Sequence, residues 1–233
     1  MKRFAALLGK EHRAVFFSPI AYALIAVFLL LMGYTFTSIL FVNKVASLAH
    51  IFFQMSALFL LMVPIIAMRL VAEERKTGTL EVLLTAPVRE IEVVLAKFVA
   101  SMTLIAVMLA LSVSYPMVLA VYGHPDWGPV YSGYLGLLLF AGALLSIGLV
   151  VSSLTSNQIV AAVISLGIFF LLWMIDSVGY LLPDPFDTVS VDLSLLAHLS
   201  PFALGSVFLS DVGFFLSVIL AGLLLSVRAL ARR

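Results

Sequence analysis

Long apolar blocks separated by short polar segments make up most of this chain. Each block is about 20 residues or longer, the length that an α-helix needs to cross the hydrocarbon core of a bilayer. The blocks lie at about 19–42, 51–71, 93–122, 131–154, 158–182 and 212–230. The pattern therefore predicts an all-α membrane protein, with a single six-span domain at 18–233.

The segment before the first block, residues 1–17, alternates between apolar and basic positions. Phe4 and Leu7 recur at helical spacing, while Lys10 and its basic neighbours fall between the apolar positions. This is typical of an amphipathic helix that lies on the anionic cytoplasmic leaflet. A signal peptide is the alternative, but its apolar region would be only about 7–15 residues long. We therefore expect a retained interfacial helix.

The segment at 183–211 is too polar to span a membrane and too apolar for a free loop. The spacing of Leu193 and Leu196 predicts a short amphipathic helix that ends at Pro201, and 202–209 predicts a second. Backbone of this kind persists at membrane depth only when it is buried against protein or a water-filled cavity. We expect two short helices in the outer leaflet before span 6.

Composition supports a membrane protein and excludes some kinds of site. Hydrophobic residues make up 64% of the chain and charged residues 11%, against about 25% charge in soluble domains. The absence of cysteine excludes disulfides and thiolate metal sites. The net charge of +1 gives no indication of nucleic-acid binding, and we expect none.

The positions of the basic residues predict the orientation. With six spans, both termini lie on one side, and every one of the 13 Lys and Arg residues except Lys44 falls on or next to that side. The positive-inside rule makes it cytoplasmic. We therefore expect a multi-pass protein of a bacterial or archaeal plasma (inner) membrane with cytoplasmic N- and C-termini.

Motifs for catalysis or metal binding are absent. The chain has no HExxH, GxSxG or GxxxxGK[ST] sequence, so we expect neither an enzyme nor a metal site nor a bound cofactor. Its four histidines look isolated: His12, His50, His124 and His198. Deep span positions carry Ser and Thr but no charge, and Asp176 near an outer end is interpreted as reaching the interface.

A polar segment at 72–90 separates spans 2 and 3. Gly78 can take a positive φ, Thr79 can cap a following helix, and Pro87 can end it. The apolar face of that helix carries Leu80, Leu83 and Leu84. The pattern predicts a helix–break–helix elbow at about 73–85 that lies parallel to the membrane. The alternative is a solvated loop whose only role is to connect spans 2 and 3.

The sequence RLVAEERKTGTLEVLLTAPV at 69–88 resembles the segment between spans 2 and 3 of ABC type-2 transporter permeases. The matching positions are Glu73, Glu74, Arg75, Gly78, Thr79, Glu81, Leu83, Leu84 and Pro87. The layout of the spans is similar as well, and looks most like the gliding-motility and copper-enzyme-maturation branch. The lack of a large extracellular domain differs from the macrolide-efflux type.

The resemblance implies that the elbow is a coupling helix, which seats in a groove of a separate cytosolic ATPase subunit. The partner-binding residues would then be Glu73, Glu74, Arg75, Gly78, Thr79, Glu81, Leu83 and Leu84. ATP and Mg²⁺ would bind to the ATPase, and two permease subunits, identical or related, would form the path through the lipid. The resemblance implies an ATP-driven exporter and does not select a substrate.

Two other classes of function fit the same residues. A membrane scaffold or assembly factor that transports nothing could bind a soluble partner through the elbow. A small ion-coupled carrier is the third class, although such proteins place ionisable groups near the midplane of the membrane.

Overall fold

The computed structural model of this protein describes residues 2–43, 49–79, 88–122, 125–179 and 186–231, and all regular structure in these ranges is helical. The helices are α1 (Lys2–Phe16), α2 (Pro19–Asn43), α3 (Ala49–Ala67), α4 (Ala72–Lys76), α5 (Glu90–Ser112), α6 (Ser114–Tyr122), α7 (Trp127–Leu154), α8 (Gln158–Gly179), α9 (Phe186–Leu193), α10 (Leu195–Ala203) and α11 (Leu209–Ala231).

Six segments of the described chain are long and apolar enough to cross a membrane. They are Pro19–Ile39, Ala49–Lys76, Glu90–Val121, Trp127–Leu154, Gln158–Ser177 and Leu209–Ala231. The prediction of an all-α protein with six spans is confirmed. The interfacial helix and the short helices before the last span also have counterparts, in α1 and in α9 and α10.

Helix α7 is the centre of the bundle and packs against α3, α5, α10 and α11. Small residues allow this close approach, because larger side chains would hold the backbones apart. A Cβ added at Gly148 would lie 2.5 Å from the Cβ of Ala67 on α3, and one at Gly222 would lie 2.6 Å from Oγ of Ser146. The interior of the bundle is therefore held by backbone-to-backbone packing around α7.

The third span is broken into α5 and α6 at Val113. Pro116 lacks the N–H group that would bond to the carbonyl of Ser112, so the helical ladder is interrupted there. Tyr115, just after the break, donates a hydrogen bond from its hydroxyl to the carbonyl of Leu29 at 2.7 Å. This hydrogen bond fixes the span against α2 next to the break.

The two short helices before α11 begin and end at other residues than predicted. Ser194 caps α10 by accepting from the N–H of Ala197 at 3.1 Å, so this helix begins at Leu195 and continues through Pro201. Gly205 then adopts φ +96°, which turns the chain. The expectation that a helix ends at Pro201 and that a second covers 202–209 is wrong. Proline costs α10 only one hydrogen bond near its end, whereas Gly205 reverses the backbone.

The sequence indicated that His198 is isolated, but its side chain has several partners in the structure. Its Nδ1 lies 2.8 Å from Oδ1 of Asp211 and its Nε2 lies 3.1 Å from the carbonyl of Asp192. The imidazole also stacks on the ring of Phe214 at 3.9 Å between centroids. Because these partners lie on α9 and α11, one side chain connects three helices at the end of the bundle opposite α1.

We expect Gly148→Ala to destabilise the protein by about 1–3 kcal/mol, because the added methyl overpacks the contact with Ala67. The midpoint of thermal unfolding in detergent measures the effect. Gly213→Ala is the matched control, since a Cβ there meets nothing within 4 Å. Equal midpoints for the two variants would contradict the close approach of α7 to α3.

Candidate functional site

The turn from α3 into α4 is held by a serine of α7. The hydroxyl of Ser152 accepts from the backbone N–H groups of Val71 and Ala72 at 3.2 and 3.1 Å. The same hydroxyl donates to the carbonyl of Met68 at 3.3 Å. Both donors lie at the start of a short helix, where N–H groups have no partner within the helix. The beginning of the elbow is therefore attached to the central helix of the bundle.

Arg69 attaches the same region to the junction of α1 and α2. Its guanidinium donates to both carboxylate oxygens of Glu73, at 2.7 and 3.1 Å, and to the hydroxyl of Ser18 at 2.9 Å. A bidentate arginine–carboxylate pair fixes orientation as well as distance. Glu73 is thus engaged within the chain and does not stand as a free acidic group.

Glu74 belongs to a buried ion cluster that consists of Lys10, Glu11, Glu74 and Lys97. Nζ of Lys97 lies 2.8 Å from Oε2 of Glu74 and 3.2 Å from Oε2 of Glu11. Nζ of Lys10 lies 3.0 Å from Oε1 of Glu74 and 3.2 Å from Oε1 of Glu11. Each cation therefore bridges both carboxylates, and the four side chains join α1, α4 and α5.

The cluster is balanced in charge and largely shielded from solvent. Exposed fractions of the side chains are 2% for Lys97, 6% for Glu11 and 16% for Glu74, against 52% for Lys10. Burial lowers the pKa of Lys10, but the hydrogen bond to Glu74 and the charges of the two carboxylates outweigh this, so that its pKa is raised. Buried ions persist only when paired, so the cluster requires all three helices at once.

Lys97 and Glu11 were missed in the prediction from sequence, although a periodicity signal was present. Glu11 follows the buried Leu7 by four residues, and Lys97 follows the buried Val93 by four. Each charge therefore lies on the buried face of its helix. Leu7 and Val93 pack together with Ala96, so α1 and α5 meet through an apolar contact beside the cluster.

The predicted partner-binding residues divide into three groups. Glu73 and Glu74 form ion pairs within the chain, and Arg75 is half-buried. Gly78 and Thr79 are exposed at the described end of the elbow, and Gly78 takes the positive φ that its type favours, +70°. The remaining predicted positions, Glu81, Leu83 and Leu84, lie outside the described residues, as does Pro87.

Local hydrogen bonds of two threonines hold the exposed end of the elbow. Thr77 donates from its hydroxyl to the carbonyl of Glu73 at 3.0 Å, and the hydroxyls of Thr77 and Thr79 lie 2.9 Å apart. Thr79 also donates to the carbonyl of Glu74 at 3.3 Å. These bonds close the end of α4, so Lys76 to Thr79 projects as an ordered polar surface.

Among the residues that the structure describes, no group of three or more His, Asp or Glu side chains could hold a metal ion. His12 lies against Thr103, with Nε2 3.1 Å from its hydroxyl, and Nδ1 lies 3.0 Å from the carbonyl of Leu8. That histidine helps to attach α1 to α5.

Six candidate spans, a helix before the first of them and a polar elbow between spans 2 and 3 define a multi-pass membrane protein. The chain matches the profile of the ABC-2 family transporter proteins over residues 5–213 and belongs to that family. No curated protein matches it. Membership of the family makes this a membrane transport protein.

We expect Lys97→Met to destabilise the protein by about 3–5 kcal/mol, because it leaves two buried carboxylates without their main cation. Lys76→Met removes an exposed lysine from α4 and should change stability by no more than about 0.5 kcal/mol. Thermal unfolding of both variants in the same detergent makes the comparison. An unfolding midpoint for Lys97→Met as high as that of Lys76→Met would show that the cluster is not a structural requirement.

Proposed function

We propose that this protein is the membrane subunit of an ATP-driven ABC exporter and that the elbow receives movement from a separate cytosolic ATPase. ATP and Mg²⁺ bind to that partner. The proposed orientation places α1, α4 and both termini on the cytoplasmic side of a bacterial or archaeal inner membrane, which agrees with the positive-inside rule. The attachment of the elbow to several helices is the observation that carries the proposal.

A lever must be rigid and must be connected to what it moves. The described part of the elbow meets the first requirement through the hydrogen bonds that close α4. It meets the second through three separate attachments: the N–H of Ala72 to Ser152 of α7, Arg69 to Ser18, and Glu74 to Lys97. A displacement at the tip would therefore reach α1, α2, α5 and α7 together, which a solvated loop could not do.

The structure changes which predicted residues we assign to the ATPase contact. Lys76, Thr77, Gly78 and Thr79 are exposed, and we assign them to docking, with Glu81, Leu83 and Leu84 of the following segment. Glu73 and Glu74 are assigned to transmission, because their carboxylates already hold cations of the same chain. Each exposed ion pair at such a contact contributes about 0.2–1 kcal/mol, so the docking surface gives register more than affinity.

A second permease subunit, identical or related, is part of the proposal. Helix α8 is the least enclosed of the six spans. Of the residues in its most apolar stretch, 17% are buried, against 72% for α7. Its uncovered face carries large apolar side chains such as Ile159, Val163 and Leu171. Lipid or a second subunit can cover that face.

Assignment to the gliding-motility and copper-enzyme-maturation branch rests on the short segments outside the spans.

We expect Glu81→Lys to uncouple ATP hydrolysis from transport and to weaken the complex with the ATPase by about two- to fivefold, the effect of one exposed ion pair. The protein is co-expressed with a partner ATPase that carries a Walker A motif, purified, and assayed for complex formation and ATPase activity in proteoliposomes. Membrane insertion should not change.

The control is Asp192→Lys, which makes the same change of charge at an exposed position on α9, the helix at the end of the bundle away from the elbow. It should leave the complex and the ATPase activity as in the unaltered protein. Normal coupling in Glu81→Lys would refute the role of that residue. A stable complex with unstimulated ATPase would instead indicate a scaffold, and ATP-independent flux by this chain alone would indicate a carrier.

A further inference from the structure

The imidazole of His198 has a hydrogen-bond acceptor at each of its two nitrogens. Its Nδ1 lies 2.8 Å from a carboxylate oxygen of Asp211 on α11, and its Nε2 lies 3.1 Å from the backbone carbonyl of Asp192 on α9. A neutral imidazole carries one N–H donor and one lone pair. Because the carbonyl cannot supply a proton, the two contacts together need two protons, one on Nε2 and one between Nδ1 and the carboxylate.

The burial of Asp211 explains why the second proton is held. Its side chain is 9% exposed, and its Oδ2 is buried without a hydrogen-bond partner among the described residues. A carboxylate in such a place needs a cation or a proton. Carboxyl groups are ordinarily more acidic than imidazole, so the proton belongs to the ring. The face of Phe214, 3.9 Å from the imidazole between centroids, also favours a cation there.

The helices around His198 offer no other cation in the part of the chain that the structure describes. Helix α10 packs against α3, α7, α8, α9 and α11, and the only lysine or arginine on these helices is Arg228, in the last turn of α11. Asp211 lies in the first turn of that helix. The other described titratable side chains of these helices form no hydrogen bond or ion pair with the imidazole: His50, Tyr131, Tyr134, Asp176 and the exposed carboxylate of Asp192.

Loss of the second proton affects the two contacts unequally. The remaining N–H group prefers the carboxylate of Asp211, because hydrogen bonds to a charged acceptor are about twice as strong as those to a neutral one. Nε2 then presents its lone pair to the carbonyl of Asp192, and two acceptors at 3.1 Å repel each other. Helix α10 would thus stay attached to α11, whereas α9 would lose this attachment.

We propose that His198 is a pH-sensitive clamp, which holds α9 to α10 and α11 while its imidazole is doubly protonated and releases α9 when the ring loses a proton. The clamp is complete at the lower pH and is lost as the pH rises. Histidine ordinarily changes its charge between about pH 5 and 8, so release falls within a physiological range. The clamp lies at the end of the bundle away from the elbow and does not depend on the ATPase.

The protonation of His198 is measured directly by NMR of the purified full-length protein in detergent, isotope-labelled at the histidine nitrogens. The chemical shifts of these nitrogens distinguish a cation from a neutral ring, and the signals of His198 are those missing from His198→Gln. We expect a cation with two N–H groups at about pH 6 and a neutral ring at about pH 9. The same protonation state at both pH values, whichever it is, would overturn the proposal.

Release of α9 is measured with a spin label on Val189→Cys, an exposed position of that helix. The chain has no cysteine of its own, so the label attaches at one place. The mobile population should rise about two- to tenfold from the lower to the higher pH, the effect of losing one hydrogen bond. A label on Val163→Cys, exposed on α8, should not respond. An α9 label that is equally mobile at both pH values would refute the release.

Two aspartate-to-asparagine variants separate the clamp from a general effect of pH. In Asp211→Asn the amide can donate to Nδ1, so a neutral ring satisfies both contacts and α9 should stay attached at both pH values. Asp192→Asn is the matched control, because it changes an exposed side chain and keeps the backbone carbonyl, and it should respond as the unaltered protein does. A pH response that persists in Asp211→Asn would assign the effect to another group and overturn the proposal. None of these measurements involves the ATPase, so failure here and failure of the proposed function are distinguishable.

Discussion

The ion pairs of Lys97 are the interaction on which the rest of this end of the molecule depends. A lysine that is 2% exposed cannot remain charged without partners, and its two partners come from segments far apart in the chain, Glu11 and Glu74. The cluster can therefore form only when the interfacial helix, the elbow and the third span are all in place. Charge pairing here selects one arrangement of α1, α4 and α5, where apolar contacts alone would permit sliding.

This requirement explains why the elbow is acidic. Neighbouring glutamates at 73 and 74 look like a surface for a basic partner when only the sequence is considered. In the folded chain they face different partners, Arg69 on one side and Lys97 on the other. The acids therefore hold the elbow in position, and the docking surface that we propose is formed by the residues that follow them. Resemblance to a family pointed to this segment, but it could not separate the residues that attach the elbow to the bundle from those that remain exposed.

The sequence was most informative where one physical rule decides the outcome. The thickness of the hydrocarbon core sets the length of an apolar block, so the six spans could be predicted, and steric freedom at φ > 0 identified Gly78. The partners of Glu74 and His198 could not be predicted, because they are set by tertiary packing: Lys10 meets Glu74 across 64 positions in the chain. The prediction of the helices before α11 was wrong for a local reason. The cap at Ser194 and the turn at Gly205 set the ends of α10, and Pro201 did not end it.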